Sequence, residues 1–157
     1  MKTFSYSIAI EAPREWLFTL MQGYPRRLEW DAFLSKAELV GGVTASGVGV
    51  RALCVDHAGR AMETEYVSFK PYERVAVKMT HGPWMFGGFA GSWIYRELPN
   101  QHTELTFRYS MALRSRLLGA TGDAALARVF RWNMGKRLAS AKQRLEALYR
   151  AEVSGCR

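Results

Sequence analysis

At 157 residues and 17.8 kDa the chain has the length of one domain, and its 48% hydrophobic and 23% charged residues supply a core and exclude a low-hydrophobicity disordered chain. No apolar run nears the ~18 residues of a membrane span, Met1 to Glu11 alternates instead of placing a basic end before an apolar run, and Cys54 and Cys156 are too few for a disulfide framework. The expectation is a single domain over residues 1–153 with a short tail at 154–157, in a reducing cytoplasm.

Phe4, Tyr6, Ile8 and Ile10 share one parity and Thr3, Ser5, Ser7 and Ala9 the other, which predicts a half-buried strand over Lys2 to Glu11. Pro13 is tolerated in a first helical turn, and Trp16, Leu17, Leu20 and Met21 recur at helical spacing until Gly23 stops the helix. Tyr24 and Pro25 restart the chain, Leu28 and Trp30 form the inner side of a second short helix, and Phe33 to Val40 turns extended. Gly41, Gly42, Gly47 and Gly49 then punctuate the chain before a hairpin of Val50 to Asp56 and Arg60 to Lys70. Another antiparallel strand, Arg74 to Thr80, follows the turn at Pro71, and Ser92 to Leu98 with Thr103 to Met111 makes a closing hairpin.

The last segment changes period. Leu126, Phe130, Met134, Leu138, Ala141, Leu145 and Leu148 stand three or four residues apart, which predicts a long amphipathic helix, with Asp123 capping its start and Gly119 and Gly122 breaking what precedes it. Gly135 inside it implies a close approach or a bend. The fold class is therefore α+β: a curved seven-stranded antiparallel sheet with two short helices after its first strand, wrapped around a helix about 30 residues and 45 Å long. Where the sheet curves away from that helix, inward residues of both would line a pocket.

The segments IEAPREWLFTLMQGYPRRLEW and ETEYVSFKPYERVAVKM, together with the terminal helix, resemble the START-like superfamily, also called the helix-grip or Bet v 1-like fold, which includes the polyketide cyclase/dehydrase and lipid transport group. The likeness lies in element order over nearly the entire chain, with a Pro after strand one, a Trp near the end of the second helix and a Glu-rich strand before a Pro turn. The resemblance implies a cavity between sheet and terminal helix that takes hydrophobic or amphipathic small molecules, in members that are variously carriers, receptors, accessory proteins and cyclases. Fold alone does not choose among these.

Parity places Glu65, Val67 and Phe69 with Val77 and Met79 on the sheet face toward the helix. A carboxylate there would orient a polar ligand head or transfer protons, and the resemblance adds that some ligand-binding relatives carry a pocket Glu at this point. If a bulge reverses the parity, Glu65 is instead solvated beside Glu63. Trp84, Met85 and Phe86, in GPWMFGGFAG, read either as a gate over the cavity mouth or as the start of a strand whose glycines permit curvature and aromatic packing. Trp93, Tyr95, Phe107, Tyr109 and Met111, joined by Tyr6, Trp30, Leu126, Phe130 and Met134, form a wall that is mostly core, with some members touching a ligand.

His57, His81 and His102 fall at turns without paired carboxylates or cysteines, so no metal site is expected. The chain also has no nucleophile elbow, dinucleotide fingerprint or phosphate loop; no cofactor is implied and no residue is assigned as catalytic. The formal net charge of +8 is concentrated late, because residues up to Met111 carry 12 basic and 11 acidic side chains and Ala112 to Arg157 carry 10 and 3. Arg128, Arg131, Lys136, Arg137, Lys142, Arg144 and Arg150 are expected to form an outward stripe on the helix, first of all a solvated face. An acidic partner or a membrane surface would use the same stripe; nucleic acid ranks low without aromatic residues between the charges.

Three functions fit. The first is a carrier or sensor of a lipid-, polyketide- or quinone-like ligand. The second is a cyclase or dehydratase using Glu65 and Tyr109 for proton transfer, and the third is a protein that docks on a partner or membrane through its basic helix. Oligomeric state is left open.

Overall fold

The strand alternation of the N-terminal segment forms β1 (Lys2–Ile10), and its partner is the last strand of the sheet, β7 (His102–Leu113). Between them a computed structural model, which describes residues 2–114 and 119–155 apart from the side chains of 119–123 and 126, places β2 (Leu34–Leu39), β3 (Arg51–Asp56), β4 (Ala61–Lys70), β5 (Arg74–His81) and β6 (Phe86–Leu98). Every neighbouring pair is antiparallel and the order is β1-β7-β6-β5-β4-β3-β2, so β3 to β7 form a meander and β1 closes onto its end. Gly59, at φ 80°, makes the tight β3–β4 turn that a side chain would strain.

Two short helices bridge β1 to β2 and cap one end of the curled sheet. Pro13 supplies the extended residue before α1 (Arg14–Gln22), whose Leu17, Leu20 and Met21 are buried as their spacing predicts. A 3-10 turn at Tyr24–Arg26 leads into the single turn α2 (Arg27–Trp30). The terminal helix α3 (Gly119–Gly155) has 37 residues and spans about 55 Å. It begins earlier than expected: the helix already includes Gly119 and Gly122, so Asp123 lies inside it, with a side chain outside the described residues. At the other end it runs into the expected tail, to Gly155. Gly135 is the expected close approach, because a Cβ there would stand 3.4 Å from the Tyr6 ring on β1.

β6 also starts earlier than the hairpin pattern predicts, at Phe86 instead of Ser92. A bulge between Phe86 and Gly88 bends the strand, and Gly91 leaves room for an aromatic ring, since a Cβ there would meet the Phe107 ring at 3.2 Å. The strand reading of this glycine-rich segment is the one that holds.

Apolar burial falls into two clusters. Ile10, Leu17, Met21, Trp30, Tyr66, Val75, Tyr95, Leu105 and Leu145 pack beneath α1 and α2, while Phe86, Phe107, Tyr109, Met111 and Leu138 pack farther along the sheet, and Trp93 touches both. What ties α2 to α3 is a buried ion triad. Asp31, 1% exposed, accepts from Arg27 Nε at 3.1 Å and from Arg137 Nε and Nη2 at 3.1 and 2.6 Å. Burial alone would raise the Asp31 pKa, but the charges of Arg137 and Arg27 and the hydrogen bonds they donate outweigh it and hold the carboxyl below the usual range.

Replacing Asp31 by Asn leaves Arg27 buried without a counter-charge and is expected to cost about 3–5 kcal/mol, a fall in Tm of roughly 6–20 °C for a domain of this size. Because the folded pKa is depressed, the stabilisation is present above the unfolded value of ~3.9 and is lost as pH falls through the folded value. Thermal melts from roughly pH 6 down to pH 2 should therefore show a smaller loss of stability with acid in the Asp31→Asn protein than in the wild type, the remainder coming from other carboxylates held below their usual range, among them Asp56 and Glu152.

Candidate ligand-binding interior

Facing strands bring a line of rings together between the sheet and α3. Trp30, at the end of α2, meets Trp93 edge-on at 6.4 Å; Trp93 lies 4.3 Å from Phe107, its cross-strand partner; and Phe107 stacks on Tyr109 at 5.4 Å, two residues along β7. Phe4 stacks on Tyr109 from β1 at 5.3 Å, and from α3 Phe130 packs against Phe86 at 5.5 Å. Met134 and Met79 pack around the same cluster. Aromatic and thioether side chains thus pack through this part of the interior. Two open clefts, of about 450 and 300 Å³, lie instead on the flanks of α1, one bounded by Trp16 and Arg26 and the other by Phe18 and Tyr72.

Two polar atoms interrupt this apolar line. Tyr109 is 2% exposed and Trp30 1% exposed, yet neither Tyr109 Oη nor Trp30 Nε1 has a hydrogen-bond partner among the described residues. A buried donor left unpaired costs about 1–3 kcal/mol. Burial also pushes the Tyr109 phenol pKa up, against a weaker opposite pull from the Arg131 charge, so at neutral pH it is a protonated donor. A third unpartnered atom, Arg14 Nε, belongs to the start of α1.

The neighbouring polar groups, by contrast, are paired. Tyr66 donates to Gln22 Oε1 at 2.7 Å, Gln22 Nε2 donates to Tyr95 Oη at 2.9 Å, and the Tyr66 and Tyr24 hydroxyls are 3.4 Å apart. The Arg27 guanidinium lies 4.4 Å from the centroid of the Trp30 ring. Burial pushes the Cys54 thiol up, beyond what the nearby Arg27 and Arg137 charges recover, which makes it a poor nucleophile.

The structure brings together most of the expected wall: Trp30, Val77, Met79, Phe86, Trp93, Phe107, Tyr109, Phe130 and Met134 all pack in the two inner clusters. Tyr95 is buried under α1, against Phe18, and serves the Gln22 network instead of the line of rings. The Leu126 side chain lies outside the described residues. Trp84 is 75% exposed, while Met85 and Phe86 turn inward.

Glu65 and Val67 are not in the interior. Tyr66 holds the inward position, opposite Val77, so Glu65 shares the outer face with Glu63, opposite Lys78, with which it pairs at 3.7 Å. The register shift between Tyr66 and Ser68 causes this: it leaves Val67 unpaired on β4 and 47% exposed, and it returns Phe69 to the inner face. Arg137 and Lys142 likewise leave the outward stripe. Arg137 joins Asp31, and Lys142 Nζ donates to the Ala9 carbonyl at 2.5 Å and pairs with Glu146. The stripe that remains does carry an aromatic residue, exposed Trp132.

Sequence reasoning missed Tyr66 and the Arg27–Asp31–Arg137 triad. Arg27 and Asp31 stand four residues apart, at the first residue and the C-cap of the short helix that also presents Trp30, which is the signal that was present. Among the described residues no three His, Cys, Asp or Glu side chains converge as metal ligands.

A curled antiparallel sheet gripping a long C-terminal helix defines the helix-grip class of START-like, Bet v 1-like proteins. The chain belongs to the polyketide cyclase / dehydrase and lipid transport family, whose family model matches residues 1–146. Among solved structures, the START superfamily protein from Mycobacterium smegmatis superposes with a TM-score of 0.73 at 12% identity, over 95% of this chain and 97% of that one. TTHA0849 from Thermus thermophilus gives 0.76 at 16%, over 94% of this chain and 99% of that one. The di-domain ARO/CYC BexL of the BE-7585A biosynthetic pathway gives 0.77 at 15%, over 93% of this chain and 47% of that one. A comparison with curated proteins gave no match. At these identities the likeness shows the fold.

Removing the Tyr109 hydroxyl takes an unpaired polar atom out of the core. Tyr109→Phe is expected to leave the ligand-free protein as stable as the wild type or more stable by up to about 1 kcal/mol in urea denaturation, the opposite of what deleting a paired hydroxyl does. Glu65→Gln, on the outer face, is expected to change stability by no more than about 0.5 kcal/mol in the same measurement.

Proposed function

We propose that the protein binds a hydrophobic or amphipathic small molecule between the sheet and α3, as a carrier or sensor. The observation that carries this reading is the pair of unpartnered donors, Trp30 Nε1 and Tyr109 Oη, at the two ends of a continuous run of rings. A flat or extended molecule that displaced part of the aromatic packing would exchange one set of apolar contacts for another. It would gain net affinity by accepting hydrogen bonds from donors that the fold leaves unused. A ligand bearing carbonyl or hydroxyl oxygens on an apolar frame, of the polyketide or quinone kind, meets that requirement; a plain hydrocarbon does not.

Turnover is less well supported than binding. A cyclase or dehydratase needs a base and an acid at the substrate, and Glu65, the expected acid, faces away from the interior while Tyr109 stays protonated. Asp31 is committed to two arginines.

Native mass spectrometry of protein purified from its host, followed by identification of what is released on denaturation, tests the reading. A stoichiometric compound with oxygen acceptors on an apolar frame is the expected result. With that compound, or with a quinone probe, Tyr109→Phe and Trp30→Phe should each weaken binding roughly 2- to 13-fold while Glu65→Gln leaves it unchanged. Equal affinity for all four proteins would overturn the role of the two donors.

A further inference from the structure

The outer face of α3 holds the surplus charge of the chain. Arg128, Arg131, Lys136, Arg144 and Arg150 are exposed there. The acidic residues Glu146 and Glu152 turn to the body instead: Glu146 accepts from the Glu11 amide and Lys142, and Glu152 from the Trp16 indole and Arg26. Among the cations stands Trp132, 62% exposed, with Lys136 Nζ 3.5 Å from its ring centroid and exposed Val129 one turn before it. An indole and a valine one turn apart among these cations make a small amphipathic patch on an otherwise charged face.

A second exposed indole lies at the same end of the molecule. Trp84 sits in the turn between β5 and β6, two residues before Phe86, which packs on Phe130 of α3. The Met85 carbonyl accepts from the amide of exposed Arg114 at 2.8 Å, which joins the end of β7 to this corner. Trp84 and Arg114 therefore adjoin the Phe86–Phe130 contact, and the exposed stretch from Arg128 to Lys136 runs along the same part of α3 on its outer side.

We propose that this end docks on an anionic lipid surface, with Trp84 and Trp132 at headgroup depth and Arg114, Arg128, Arg131 and Lys136 on lipid phosphates. The chemistry matches on both counts: indoles prefer the boundary between headgroups and acyl chains, and long basic side chains reach phosphate while their stems stay apolar. A bilayer imposes no register on scattered cations, whereas a single nucleic-acid strand asks for rings set along a groove that tracks its backbone. The inference concerns the outer surface and stands whatever the interior binds.

Co-sedimentation with vesicles of phosphatidylcholine alone and of phosphatidylcholine mixed with phosphatidylglycerol tests it, read together with tryptophan emission. The expected result is binding to the anionic vesicles only, weakened by added salt, with a blue shift that Trp132→Ala and Trp84→Ala each reduce. Arg128→Ala and Lys136→Ala should each weaken partitioning about fivefold, and Arg150→Ala, about 27 Å along the helix from Trp132, should not. Circular dichroism checks that these surface variants fold. Equal binding to both vesicle types, no binding to either, an equal effect of Arg150→Ala, or displacement from vesicles by single-stranded RNA would each overturn the proposal.

Discussion

A carboxylate buried between two guanidinium groups holds the terminal helix in place. Asp31 comes from the short link between α2 and β2, and Arg137 from the middle of α3, so their bond joins the capped end of the sheet to the helix that crosses it. Taking such a charge out of water costs several kcal/mol, and only close, multiply bonded partners repay it. The geometry is good enough that the carboxyl stays ionised despite its burial. The triad fixes α3 at its middle, and Glu146 on the Glu11 amide and Glu152 on Trp16 and Arg26 fix it toward its end. The line of rings from Trp30 to Tyr109 depends on the triad, since Trp30 is the residue immediately before Asp31.

The elements were legible because their periods are clean. Phe4 to Ile10 alternates by two, Met134 to Leu148 recurs by three and four, and each produced the strand or helix it implies. The inner face of β4 was not legible, because alternation carries no information about a bulge: one extra residue near Val67 is enough to exchange Glu65 for Tyr66. Gly87, Gly88 and Gly91 left the start of β6 open between gate and strand for a related reason, since residues that serve curvature and a neighbouring ring look like a loop as well.

Charge misled on α3 in a more instructive way. Arg137 is three residues from Met134 and four from Ala141, so helical geometry puts it within about 60° of the apolar stripe, and its sign drew it to the outside in the sequence reading. Trp132 was passed over when the stripe was read as free of aromatic residues, although its position lies well off the apolar stripe. In both cases angular position was the better guide than residue type. The two unpartnered donors were beyond any such reading. They depend on which neighbours surround a hydroxyl or indole after folding, and no pattern along the chain encodes an absence of partners.

The pairing of β1 with β7 bears on how the chain reaches this structure. Lys2 lies opposite Met111 and Ile10 opposite Thr103, so β1 has no partner until about a hundred further residues have been made. Every other strand finds its neighbour within a short turn or loop. Closing that one long loop is an entropic barrier that local hairpins do not share, and contacts of such separation slow folding. During synthesis β1, with Phe4, Tyr6 and Ile8 on one face, is made before every other strand of the sheet and waits longest. It is the segment most open to capture by a chaperone, or by the same edge of another nascent copy.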